Sequence, residues 1–386
     1  MKKNKKIIIF LLTIVLFFTC LTVGIRRVMA YVDKDYKVSA YLPIWCDWTG
    51  NDVNVSKLTN VYIAFANINT EGKIGFKNAN IKDEDEIFRK IREFRKTYPK
   101  IKISLGIGGY KAEGFSDVAL TKESRKIFCD SVAKFVDEYK LDGVDIDWEF
   151  PGIGPEGGIK SRKEDKENFT LLLSDLRDSL KELEKKNKKS YELSFAETVL
   201  DYGVDNIEVE KVNKIVDCVN VMGYDYTGVW SDTTAHNANL YKADEKKDKI
   251  STSDGIKKLI DAGFDSKKLI MGIPAYGYGW EGVKDENNGL YQKAEKPIDF
   301  LKFDLSYRGI VKKYLNKDGF KRYWDDKAKV PYLYNGNIFI TYEDKESAAF
   351  KTEYIKENKL GGGMIWECSQ DNAGELTKVV YDKLRK

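Results

Sequence analysis

The chain has 386 residues, 42% of them hydrophobic and 33% charged, with 65 basic against 61 acidic side chains, one histidine and five cysteines. That balance is too apolar for a disordered chain and too poor in cysteine for a disulfide scaffold, and a lone histidine excludes a multi-histidine metal centre. Six of the basic residues lie in the first thirty positions; without them 59 basic side chains face 61 acidic ones, a net charge of about −2, which leaves no nucleic-acid footprint.

Those first thirty residues read as a separate object. Lys2, Lys3, Lys5 and Lys6 precede an apolar run from Ile7 to Ile25, followed by Arg26, Arg27 and Val28-Met29-Ala30, the order of an export signal with residues that suit a signal peptidase. The run is nineteen residues long and, at about 1.5 Å each, nearly spans a bilayer core of about 30 Å. Residues 1–30 are therefore expected to be a cleaved signal peptide or a retained membrane anchor. Phe17-Phe18-Thr19 before Cys20 lacks the small residue of a lipoprotein signal. The rest of the chain is expected outside, secreted or on the extracellular face of the membrane, and only this segment would touch a membrane.

From there the pattern is repetitive. Short apolar runs that read as strands lie near Val38 to Leu42, Val61 to Ala66, Ile101 to Leu105, Gly143 to Asp147, Tyr191 to Ala196, Cys218 to Tyr224, Leu269 to Pro274 and Gly363 to Trp366. Helical patterns fall between them at Glu84 to Thr97, Thr121 to Tyr139, Lys163 to Asn187 and Thr252 to Ala262, the last with Ser253 or Thr252 available as a cap. Repeated βα units of this length predict an α/β fold, a (β/α)8 TIM barrel with its site at the C-terminal ends of the strands. Between the seventh and eighth runs the chain is too long for one helix and its loops. Positions 276–342 are rich in aromatic residues, with strand-like pieces around one helix near Tyr307 to Leu315, and read as a small α+β insertion. The expected domain spans 36–386, with the barrel at 36–275 and 343–386.

The fourth run carries the chemistry. In Asp142-Gly143-Val144-Asp145-Ile146-Asp147-Trp148-Glu149, strand alternation sends Asp145, Asp147 and Glu149 to one face, about 6.6 Å apart in succession, and Asp142 to the other. Carboxylates crowded in one lumen raise one another's proton affinity, so one of them can stay protonated near neutral pH and act as an acid. A calcium or magnesium site and a charged edge strand are the competing readings. The apolar Val144, Ile146 and Trp148 between the acids favour a buried barrel strand.

This stretch resembles the Asp-Gly-x-Asp-x-Asp-x-Glu signature of glycoside hydrolase family 18, the chitinase family, at all five defined positions. The resemblance implies that Glu149 is the general acid and later the base, that Asp147 holds the substrate's acetamido arm, and that Asp145 tunes Asp147. Gly106-Ile107-Gly108-Gly109-Tyr110 is similar to the family's Ser-x-Gly-Gly-aromatic run, with Gly106 at the serine position. Val221-Met222-Gly223-Tyr224-Asp225 resembles its Met-x-Tyr-Asp, which makes Tyr224 a further catalytic residue that bonds the acetamido oxygen. Thr227 stands where many members have histidine, and His236-Asn237 looks like the family's loop pair. Trp366, on Gly363-Met364-Ile365-Trp366, would lie under the sugar being cleaved. Substrate contacts are implied for Gly108, Gly109, Tyr110, Phe150, Met222, Gly223, Asp225, Tyr276, Trp366, Tyr41 and Phe65, while Trp45, Trp230 and Trp280 join Tyr110 as aromatics near strand ends that suggest a sugar-lined cleft.

The implied activity is endo-acting hydrolysis of β-1,4 bonds between N-acetylglucosamine units of chitin or its oligosaccharides, with no metal or organic cofactor and no nucleic-acid partner. An N-acetylglucosaminidase acting on peptidoglycan or glycoprotein glycans is the alternative enzyme, and a sugar-binding lectin the alternative from another class; Glu149 argues against the lectin. A monomer is the default expectation. Cys46, Cys129, Cys218 and Cys368 read as buried small hydrophobes, although Cys46 and Cys368 follow neighbouring strands and are within reach of a bridge.

Overall fold

Parallel strands covered by helices on one side and closed on themselves on the other must be apolar outside and can be polar only in the lumen. That is the arrangement in the computed structural model, which describes residues 36–48, 53–76, 84–153 and 159–386; the export segment read at residues 1–30 lies outside them. The barrel strands are β1 (Lys37–Pro43), β2 (Asn60–Ile68), β3 (Lys102–Gly108), β4 (Gly143–Asp147), β5 (Glu192–Thr198), β6 (Cys218–Met222), β7 (Leu269–Pro274) and β8 (Gly362–Trp366). Each pairs in parallel with the next, and β8 pairs with β1, so the sheet closes as a (β/α)8 barrel. No helix among the described residues is long and apolar enough to cross a membrane.

On β4, Val144 and Ile146 are fully buried in the apolar shell that also holds Val132, Phe169 and Leu173. Burying such side chains is worth about 1.5–3 kcal/mol each, and this fixes the register that turns the odd-numbered acids inward. Asp142 faces the other way. It accepts from the Ile103 N–H at 2.8 Å and pairs with Lys189 at 2.8 Å and with Arg95, so it pins the start of β4 to β3.

Most strand and helix ends shift by one to three residues from the sequence expectation, and one strand end and one helix cap differ for identifiable physical reasons. The sixth strand ends at Met222 rather than Tyr224, because Asp225 adopts a φ of 63°, which no strand ladder accommodates. The helix Thr252–Asp261 is capped by Ser251, whose side chain accepts from the Asp254 N–H at 3.2 Å; neither Ser253 nor Thr252 is the cap. The Thr252 hydroxyl is engaged instead with the Asn239 carbonyl at 3.1 Å and the Tyr226 hydroxyl at 2.9 Å. Helices at Lys345–Glu357 and Glu375–Arg385, which the sequence reading did not place, flank β8 on the chain.

Between β7 and β8 the chain builds a second, antiparallel sheet. Its five strands run in the order Lys296–Pro297, Tyr278–Glu281, Phe339–Thr341, Val330–Tyr334, Lys321–Asp325, with a helix at Tyr307–Lys313. Alternation makes both faces apolar: Leu333 and Ile340 pack with Ile310 and Phe320 on one, Tyr332 and Phe339 with Trp280 and Leu290 on the other. Trp280 is fully buried there and donates from Nε1 to the Ser231 carbonyl at 2.8 Å, so it is a core residue that ties a loop to the sheet and not part of a sugar-lined surface. Cys46 and Cys368 are both buried and neither is in a disulfide; Cys46 donates to the Pro43 carbonyl at 3.2 Å.

Candidate active site

The register of β3, β4 and β5 sets Gly106 beside Asp145 and Asp145 beside Ser194 in one row across the lumen, with Gly108 beside Asp147 in the next. Glycine is required in both rows. A Cβ on Gly106 would come within 2.8 Å of the Ile63 carbonyl and 3.0 Å of the Phe65 ring, and one on Gly108, at φ 116°, within 2.1 Å of the Asp147 carbonyl. The serine that the resemblance expects at position 106 is therefore replaced by space that the Phe65 ring fills.

Asp145 is fully buried and accepts three hydrogen bonds: from Tyr41 Oη at 2.7 Å, Ser194 Oγ at 2.6 Å and Asn220 Nδ2 at 2.9 Å. Burial raises its proton affinity, and these three donors offset part of that rise. Asp147, 4% exposed, has no such support, and its Oδ1 is buried without a hydrogen-bond partner among the described residues. Burial, then the charges of Glu149 and Asp145, push it well above the usual carboxylate range. Glu149 follows the end of β4 and is only partly buried; burial, with the Asp225 charge added, lifts its carboxyl to about 7. The three acids thus divide into one held by hydrogen bonds and two that compete for a proton, and a carboxylic acid near pH 7 can protonate a leaving oxygen.

Asp225 supplies the fourth carboxylate. Its Oδ1 accepts from Tyr276 Oη, and from Tyr278 Oη at 3.1 Å, and these bonds offset part of the rise that burial causes. Tyr224, 6% exposed, is held in its phenol form by burial and by the surrounding carboxylates, so it can donate a hydrogen bond. Glu197 is another raised carboxyl, pushed up to about 8 by burial, but it lies at the end of β5 against Gly203, accepting from the Thr198 N–H at 2.8 Å.

Aromatic rings line the floor. Trp366 stacks on Phe65 with centroids 5.7 Å apart and meets Tyr41 edge-on at 5.0 Å, and these rings form one cluster with Tyr224, Met222 and Tyr276. A flat ring partly open to a cleft offers an apolar face to a pyranose. Phe150 packs edge-on against Tyr202 at 5.3 Å. Tyr110, Trp45 and Trp230 are 68%, 65% and 62% exposed, and Trp230 meets Tyr278 edge-on at 5.6 Å. A groove of about 700 Å³ lined by Lys37, Asn60, Lys102 and Glu192 holds none of these carboxylates.

Sequence reasoning passed over Ser194, Asn220 and Tyr278, and it read Asn237 only as half of a loop pair. Ser194 and Asn220 carry a signal that could have found them: each is a polar residue between two apolar ones on a predicted strand, which is the lumen position of a barrel. Tyr278 carries none. Among the described residues no group of three or more His, Cys, Asp or Glu side chains is placed to hold a metal ion.

The family model for Glycosyl hydrolases family 18 matches residues 27–371. Chitinase A1 of Niallia circulans is 32% identical across 94% of this chain, which spans 60% of that longer protein. Class V chitinase CHIT5a of Medicago truncatula is 29% identical, with 96% of this chain and 95% of the plant protein aligned. Among solved structures, a family 18 N-acetylglucosaminidase from Paenibacillus barengoltzii superposes with a TM-score of 0.81 at 31% identity, over 90% of this chain and 99% of that one. Chitinase ChiW from Paenibacillus sp. gives a TM-score of 0.83 at 38% identity, over 91% of this chain and 43% of that one. With the matched segment running through every barrel strand and the carboxylate row, this chain belongs to glycosyl hydrolases family 18 and is a glycoside hydrolase.

Proposed function

We propose that the enzyme cleaves β-1,4 bonds within chains of N-acetylglucosamine, chitin and its oligosaccharides, by a substrate-assisted mechanism that retains configuration. The observation that carries the reading is the pairing of Glu149, a carboxyl at about 7, with Asp147, whose buried Oδ1 has no partner among the described residues. Glu149 protonates the leaving oxygen. The acetamido carbonyl oxygen of the sugar before the bond then attacks the anomeric carbon as the C–O bond breaks, giving an oxazolinium ion. Asp147 takes the acetamido N–H as the ring closes, and Tyr224 donates to its oxygen. Water, deprotonated by Glu149, reopens the ring. Substrate assistance is the known exception of this family to the two-carboxylate scheme, and the lumen supports it because Asp147, two residues before Glu149 at the end of β4, is placed to aim an acetamido group, while Asp225 is engaged by the Tyr276 and Tyr278 phenols.

The Paenibacillus N-acetylglucosaminidase favours a second reading, the release of single N-acetylglucosamine units. Incubation with chitin hexamer, peptidoglycan and a high-mannose glycopeptide separates the two. Endo-cleavage yields dimers to tetramers from the hexamer, whereas accumulation of monomer alone, or cleavage of only the other two substrates, sinks the chitinase reading. Proton NMR of fresh product should show the β-anomer; an α-anomer, or efficient cleavage after a deacetylated sugar, defeats the mechanism. We also place the enzyme outside the cell, secreted or held by residues 1–30, on the basic-apolar-small order of that segment.

A further inference from the structure

We infer that Asn237 is a positioning residue of this active site, through which the insertion between β7 and β8 governs the acid. Asp225 has a φ of 63°, a left-handed conformation that a non-glycine residue keeps only where its surroundings over-determine it. Its N–H donates to Asn237 Oδ1 at 2.9 Å. The Asn237 backbone completes the clamp: its carbonyl accepts from the Tyr226 N–H at 3.1 Å, and its own N–H donates to Thr341 Oγ1 at 3.0 Å, on a central strand of the insertion sheet. The preceding residue, His236, lies with Nε2 3.0 Å from Asp325 Oδ2 on the edge strand of the same sheet. One buried dipeptide thus grips two strands of the insertion while a single amide oxygen holds the backbone of Asp225.

The carboxylate held this way bears directly on the acid, because Asp225 is the charge that adds to burial in raising the proton affinity of Glu149. Glu149 is faced by Asp147 from the end of β4 just before it, by Asp225, and by the phenols of Tyr202 and Tyr224. Asp225 in turn faces Tyr276 and Tyr278 from the start of the insertion, Tyr224 and Tyr226 from its own segment, and Tyr202. Of these groups Asp225 has its backbone N–H on the Asn237 side chain, whereas the Tyr226 N–H meets the Asn237 backbone carbonyl.

This inference rests on Glu149 as the acid, which Glu149→Gln tests separately: a variant that keeps its activity removes that reading whatever Asn237 does. The test compares the full-length enzyme with Asn237→Ala and Asn239→Ala on a chitin oligosaccharide. Asn239 is equally buried and donates to the Tyr241 and Ile250 carbonyls, without touching Asp225. Asn237→Ala should lower kcat about tenfold with little change in KM, and should move the alkaline limb of kcat/KM down by about half a pH unit as the Asp225 charge swings from Glu149. Asn239→Ala should lower the melting temperature and leave the limb in place. Asn237→Asp, which keeps an acceptor for the Asp225 N–H, should recover most of kcat. In an Asp225→Asn background, Asn237→Ala should move the limb no further. A folded Asn237→Ala with an unmoved limb and kcat within twofold of the parent overturns the inference, as does an equal limb shift in the Asp225→Asn background. If Asn237→Ala does not fold, Thr341→Val decides: it removes only the hydroxyl that accepts the Asn237 N–H, and a limb that stays put in that variant overturns the inference too.

Discussion

Two carboxylates flank the Asp147 and Glu149 pair, and they are held by different kinds of structure. Asp145 takes its hydrogen bonds from Tyr41, Ser194 and Asn220, residues of β1, β5 and β6, so its environment is a product of barrel register. Asp225 lies past the end of β6; its carboxylate accepts from Tyr276 and Tyr278 of the segment after β7, and its backbone N–H donates to Asn237 of a loop latched onto the insertion sheet. The first arrangement is as rigid as the sheet, because shifting any donor means slipping a strand by one residue and turning its apolar side chains inward. The second depends on a separate layer and can be changed without disturbing the barrel. One fold therefore supplies a fixed carboxylate on one side of the acid and an adjustable one on the other.

The largest expected effect removes the group between them. Glu149→Gln should cut turnover by about 10²–10⁴-fold while oligosaccharide binding persists, since the amide keeps the shape and lacks the proton. The same variant has a stability signature. The folded carboxyl sits at about 7, above its ordinary 4.5, so the native state holds the proton more tightly than the unfolded chain does, and the stability this contributes at low pH is lost as pH rises through about 7. Glu149→Gln should then melt above the parent at pH 8 and converge with it near pH 4; thermal melts across that range showing the opposite order would contradict the raised carboxyl.

A smaller loss is expected on the register-held side. Ser194→Ala deletes one of three donors to Asp145, and a hydrogen bond to a charged group is worth about 1.5–3 kcal/mol, so kcat/KM should fall about ten- to a hundredfold. Tyr278→Phe on the adjustable side removes one of two phenol donors to Asp225 and should cost only about two- to fivefold in kcat/KM, with the alkaline limb moving down by a few tenths of a pH unit. Measured pH profiles in which Tyr278→Phe is the more damaging of the two would break the contrast between the sides.

The barrel was legible in the sequence because each strand must bury one face, and that requirement writes itself as apolar runs at βα spacing. Gly143–Asp147 and Leu269–Pro274 begin and end where those runs do, and the inward turn of Asp145 and Asp147 follows from Val144 and Ile146 facing outward. The raised proton affinity of Asp147 was legible for the same reason, since acids at alternate positions on a buried strand crowd one another, whereas the charge that adds to burial at Glu149 comes from Asp225, off that strand. Other features were decided by tertiary structure. Trp280 and Trp230 look alike as aromatics near a strand end, yet one is fully buried beneath a loop and the other 62% exposed, a difference set by the packing of the insertion sheet. Asp225 leaves its strand for a left-handed turn because Asn237, twelve residues on, waits to accept its N–H. Periodicity reports which face of an element is dry, and it is silent on which distant side chain meets a particular polar atom, because that pairing is fixed only when separate elements pack.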